Sequence, residues 1–167
     1  MQQKEAFIQT IKDNEGIIYK ITRVYAKDTE DQKDLYQEIV YQLWKSFDSF
    51  KGKSKLSTWM YRVALNTSIA HLNQNKKSPS STSGLSLNFE LPDAADHSGT
   101  SGSEWEDRMH MLYAHIKQLN VIEKGLILLF LEGKSYEEIA AITGFTITNV
   151  GTRLGRIKQK LKTNFKK

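Results

Sequence analysis

At 167 residues, with 39% hydrophobic and 26% charged residues, the chain can fill one ordinary domain or two small ones, and its composition argues against wholesale disorder. It has no cysteine, which excludes disulfides, thiolate nucleophiles and cysteine metal sites, and its longest apolar run, Leu126 to Leu131, is far short of the roughly 20 residues a membrane-spanning helix needs. The net charge of +5 is concentrated: positions 144–167 hold seven Lys and Arg and no acid, leaving the remainder at −2, an asymmetry that suits a polyanion-binding end, although a solvated basic tail has the same composition.

From Glu5 to Ala26 the apolar residues Phe7, Ile8, Ile11, Ile18, Ile21 and Tyr25 recur at helical spacing, in steps of three, four and seven, which predicts one amphipathic helix with Gly16 as a possible kink. A second helix is expected from Asp28-Thr29, with Leu35, Ile39, Leu43 and Phe47 on one face, ending before Lys51-Gly52-Lys53. The third carries Leu56, Trp59, Met60, Val63, Ala64 and Leu72 and is expected to stop in the polar tract Asn73-Gln74-Asn75-Lys76-Lys77. Positions 78–103 change character: both prolines, eight serines and three glycines mark a flexible linker too long for a connection inside one compact domain, with a short apolar patch at Leu85, Leu87, Phe89 and Leu91.

Beyond the linker, Trp105, Met109, Leu112, Ile116 and Leu119 space as a core-facing helix. Asn120 with Glu123, and Ser135 with Glu138, have capping-box spacing, each opening a helix that a glycine, Gly133 or Gly144, closes. A last helix should run from about Thr146 to Thr163. The expected fold is therefore all-α: a three-helix domain at 1–77, a linker at 78–103 and a four-helix domain at 104–167. The start Met1-Gln2-Gln3-Lys4-Glu5 lacks a signal-peptide pattern, so a cytoplasmic address is expected.

The pair of helices at Ser135–Phe145 and Thr146 onward matches a helix-turn-helix in length and order. In the final helix Val150, Leu154, Ile157 and Leu161 form the buried stripe. Thr148, Asn149, Thr152 and Arg153 then fall where base edges would be reached, with Arg156, Lys158 and Lys160 better placed for phosphates. Gly151 and Gly155 each cost a helix interior about 1 kcal/mol relative to alanine, which close approach to a DNA backbone would offset; simple tolerance explains them as well. No histidine pair has metal-ligand spacing among His71, His97, His110 and His115, and no glycine loop cradles a phosphate, so no metal, cofactor, small-molecule substrate or enzymatic activity is expected.

Several blocks, in order, resemble the extracytoplasmic-function (ECF, group 4) sigma factors, the small promoter-recognition subunits of bacterial RNA polymerase: Asp34-Leu35-Tyr36-Gln37-Glu38 through Leu43-Trp44, Phe47 to Gly52, Thr58 to Asn66, Glu132 to Ala140, and Asn149 to Leu154. The resemblance implies that Asp34, Gln37, Glu38 and Tyr41 bind core RNA polymerase. It implies that Lys51, Lys53, Trp59, Arg62 and Asn66 open the minus-ten promoter element and hold a flipped base, work that needs amide partners and an aromatic support; Trp59 fits a core position equally well. The C-terminal domain would read the minus-thirty-five element, and an anti-sigma factor would hold the protein inactive, in many relatives at the inner membrane. Two departures stand out: Ala70, Asn73, Gln74 and Asn75 occupy positions where the family carries an acid and arginines, and Asn120 replaces its usual proline. A free-standing helix-turn-helix regulator, and a polymerase-binding protein that does not read promoters, are the competing readings.

Overall fold

The computed structural model describes residues 2–50, 52, 55–77 and 102–165, and all regular structure among them is helical. The chain packs as two units, Met1–Pro92 and Asp93–Lys167. The expected linker lies outside the described residues except for 102–103, which begin a helix.

The first unit contains α1 (Gln2–Asp13), α2 (Glu15–Tyr25), α3 (Thr29–Phe47) and α4 (Leu56–Lys77). Four helices thus replace the expected three, because the stretch read as one helix breaks at Asn14. There φ is −126° and ψ 20°, and the side-chain Nδ2 donates to the Thr10 carbonyl at 2.9 Å. A short amide side chain that bonds nearby backbone competes with the helix ladder. Gly16 keeps an ordinary helical conformation within α2. Asp28 caps α3 by accepting from the Asp31 amide at 2.8 Å, and the core gathers Ile18, Ile21, Leu35, Ile39, Leu43, Met60 and Ala64 at essentially zero exposure. One edge is aromatic: Phe7 meets Trp44 and Phe47 edge-on at 5.0 and 5.2 Å, and Phe50 stacks on Trp59 at 4.9 Å. α4 continues through the polar tract to Lys77. That tract holds no glycine or proline, and the first strong breaker is Pro79, which disfavours helix at the residue before it.

The second unit contains α5 (Gly102–Lys117), α6 (Val121–Leu131), α7 (Tyr136–Thr143) and α8 (Ile147–Phe165). Both expected capping boxes form: Asn120 and Ser135 accept from the amides of Glu123 and Glu138 at 2.8 and 3.1 Å, and each glutamate accepts the cap residue's amide in return. Gly133 (φ 83°) closes α6, with the Gly133 and Lys134 amides returning to the Phe130 and Leu129 carbonyls in a Schellman arrangement; Gly144 (φ 87°) makes the left-handed turn after α7. The core holds Ile116, Leu126, Leu129, Ile139, Val150, Leu154 and Ile157. The expected α5 stripe is buried only at its C-terminal end: Ile116 and Leu119 are in the core, Met109 and Leu112 are half-buried, and Trp105 is 56% exposed.

Candidate nucleic-acid and polymerase interfaces

The helix-turn-helix is built from two kinds of restraint. Gly144 turns the chain between α7 and α8, and Thr146 then accepts the Asn149 amide through Oγ1 at 3.1 Å, satisfying one of the orphan donors at the start of α8. The buried stripe Val150, Leu154, Ile157 and Leu161 fixes the rotation of α8. At 100° per residue this puts Thr148, Thr152, Arg156 and Gln159 on the opposite face, where all four are exposed.

The expected DNA-contacting residues separate into three environments. Thr148, Thr152 and Arg156 lie on the open face, and among the described residues Arg156 has no ion-pair, hydrogen-bond or ring partner. Asn149 and Arg153 are half-buried on one flank and joined to each other: Arg153 Nε donates to Asn149 Oδ1 at 3.1 Å, and the guanidinium lies 4.6 Å from the centre of the Phe145 ring. Lys158 and Lys160 turn back onto their own fold. The Lys158 ammonium is 3.9 Å from the centre of the Phe130 ring, and Lys160 Nζ is 2.6 Å from Glu123 Oε2. Gly151 faces the fold: a Cβ there would come within 3.3 Å of the Tyr136 ring, so its missing side chain admits the α7 tyrosine. Gly155 has open space around it.

On α3, Asp34 and Gln37 are exposed and Glu38 and Tyr41 half-buried, and their three- and four-residue spacing places all four on one stripe. The Lys45 ammonium extends the stripe, 5.3 Å from the centre of the Tyr41 ring. On α4, Arg62 and Asn66 are exposed, one turn apart. Trp59 departs from the reading as an open base platform. It is 7% exposed, stacked on Phe50 and tilted against Phe47, so its ring is part of the core. Lys51 and Lys53 lie outside the described residues.

The pairing of Asp31 with His71 escaped the sequence reading. Asp31 is 8% exposed, its Oδ2 accepts the Lys27 amide at 3.0 Å, and its Oδ1 is 2.8 Å from His71 Nε2. Burial pushes this carboxyl up, but the hydrogen bonds from Lys27 and His71 outweigh it and hold the group below its ordinary value. Among the described residues no three His, Asp or Glu side chains group as a metal site, and no helix is long and apolar enough to cross a membrane.

An all-helical chain of two units, one presenting a capped helix-turn-helix with a polar and basic outer face, defines a helix-turn-helix DNA-binding protein. Residues 10–78 match the family model of sigma-70 region 2, and residues 109–161 match that of sigma-70 region 4. The chain is 31% identical over 137 residues to the ECF RNA polymerase sigma-E factor of Escherichia coli strain K12, a match covering 78% of this chain and 72% of that protein. It is 28% identical over 153 residues to the ECF RNA polymerase sigma-E factor of Haemophilus influenzae, covering 84% and 77%. Among solved structures, CnrH in complex with the cytosolic domain of CnrY has the same fold (TM-score 0.67, 18% identity, 98% of this chain and 89% of that one). So does the sigma factor RpoE in complex with the anti-sigma factor NepR from Bartonella quintana (TM-score 0.67, 19% identity, 97% and 98%). The chain belongs to the ECF sigma factors of RNA polymerase. It is a promoter-specificity subunit that binds core polymerase and directs initiation, and the region 2 match removes the free-standing regulator as a reading.

Proposed function

We propose that the two units divide the work of promoter recognition by residue. Residues 104–167 read the minus-thirty-five element through the open face of α8. Thr148, Thr152 and Arg156 meet the major groove, and the joined pair Asn149 and Arg153 contacts the groove edge. Lys158 reaches phosphate only by leaving the Phe130 ring. Residues 1–77 bind core polymerase through Asp34, Gln37, Glu38 and Tyr41, and engage the minus-ten element through Arg62, Asn66, Lys51 and Lys53, with Trp59 supporting Phe50 from the core. Residues 78–103 connect them.

The observation that carries this reading is the rotation of α8: four buried apolar residues hold its polar face outward directly after a left-handed glycine turn. Supporting the α3 assignment is a continuous stripe of exposed and half-buried polar residues one turn apart. The protein acts by binding, without covalent chemistry of its own, and works in the cytoplasm. By likeness to RpoE, whose solved complex holds the anti-sigma factor NepR, this chain too is held by an anti-sigma factor when inactive, at the inner membrane if that factor is anchored there.

The α3 assignment is tested by the affinity of the full chain for core polymerase. Asp34→Ala with Gln37→Ala should weaken it at least tenfold while leaving the thermal transition in place, because both side chains are exposed. Unchanged affinity in the double variant would move the polymerase contact elsewhere.

A further inference from the structure

The cations of α8 are not equivalent. Arg156 is open, Arg153 is joined to Asn149, Lys158 lies over a ring, and Lys160 is met by an opposite charge. That charge comes from a distant position in sequence and is firmly held. Glu123 is the third helical residue of α6; its Oε1 accepts the Asn120 amide at 3.2 Å, its own amide donates to Asn120 Oδ1 at 2.8 Å, and its side chain is 13% exposed. Lys160, 55% exposed, meets the free carboxylate oxygen at 2.6 Å across 37 residues of chain. Positions 144–167 carry seven cations and no acid, so Glu123 is an acid delivered to this segment by another helix.

We propose that Glu123 is a specificity-determining residue for promoter DNA, which withholds Lys160 from the phosphate backbone and so restrains sequence-independent affinity. The proposal rests on the reading of α8 as the DNA-contacting helix. Its physical basis is that a cation neutralising a phosphate releases counterions whatever the base sequence. Such contacts supply nearly all non-specific binding and raise affinity for every competing site in a genome. Base-edge discrimination comes from Thr148 and Thr152, neither of which Glu123 touches. A carboxylate locked in a capping box is well suited to the task, because its position does not depend on DNA being present. Burial pushes the Glu123 carboxyl up, but Lys160, the Asn120 amide and the nearby charge of Arg153 outweigh it and hold the group below its ordinary value, so it is ionised at neutral pH.

The substitution Glu123→Gln removes the charge and keeps the cap, since glutamine serves at this position of a capping box. Holoenzyme assembled from core polymerase and the full chain is titrated with a duplex carrying the upstream promoter element and with a scrambled duplex of equal length, across a range of salt concentrations. The expected result is that E123Q steepens the dependence of log affinity on log salt by about 0.9 on the scrambled duplex, the increment for one added phosphate contact. It should also lower the ratio of promoter to scrambled affinity, and E123Q combined with Lys160→Met should return the slope to that of the unaltered protein. An unchanged slope in E123Q, or a steeper slope that survives in the double variant, overturns the proposal. Arg156→Ala, run alongside, separates the two levels: if it leaves promoter affinity untouched, the reading of α8 fails, whereas a loss with R156A and no change with E123Q removes the role of Glu123 alone.

Discussion

Asp31 joins three parts of the first unit: the turn after α2 through the Lys27 amide, the start of α3 on which it sits, and α4 through His71. Because its pKa is depressed on folding, the native state holds the charged form more strongly than the unfolded chain does. The carboxylate therefore contributes stability above its unfolded value near 3.8, and that contribution is lost as pH falls through the lower folded value. Asp31→Asn should therefore flatten the acid limb of the stability curve below about pH 4 while lowering stability at neutral pH, measured by urea unfolding across pH. An equally steep acid limb in the variant would place the controlling carboxylate elsewhere. The bond to His71 was not legible in the sequence, since the partners stand 40 residues apart; only the local cap at Asp28 and Asp31 is written in neighbouring residues. The salt bridge of Lys160 is hidden for the same reason: helical periodicity puts this lysine on a basic flank and says nothing of an acid on α6.

At the scale of elements, legibility followed locality. Both capping boxes and the two closing glycines are written within a few residues of sequence, and each forms as expected. The rotation of α8 was equally readable, because a four-residue apolar stripe at helical spacing leaves one way to bury it. The break at Asn14 is marked only by a missing apolar turn between Ile11 and Ile18, and the bond from the Asn14 side chain to the Thr10 carbonyl accompanies it. The aromatic edge shows a further limit: composition cannot tell a base platform from a core ring, and packing against Phe47 and Phe50 puts Trp59 in the core. The glycines of the second unit give opposite expectations. Gly144→Ala should destabilise α7 and α8 by about 1–2 kcal/mol, the cost of a side chain in the left-handed region. Gly155→Ala, with open space around it, should stabilise them by up to about 1 kcal/mol. Amide hydrogen exchange, which resolves opening segment by segment, checks both. Loss of promoter affinity in a stabilised G155A variant would show that the DNA backbone approaches α8 there.

The whole molecule pairs a sigma-70 region 2 unit with a region 4 unit, and its charge follows that division. The seven cations of 144–167 belong to the region 4 unit, while the rest of the chain is close to neutral. Under the proposed division of work, two sites on one chain reinforce each other through effective concentration. In the second unit Lys158 and Lys160 are occupied by their own fold while Arg156 stays open. In the proposed function this chain supplies promoter choice to core polymerase through the open face of α8. Its most direct test is run-off transcription on fragmented genomic DNA of the cell that makes the protein, using that cell's core polymerase, without the chain, with it, and with a variant combining Thr152→Ala and Arg156→Ala. If the open face of α8 chooses promoters, discrete new transcripts require the chain and fall at least tenfold with the variant, although the variant still binds core. New transcripts of equal yield and identical start sites from the variant would contradict it.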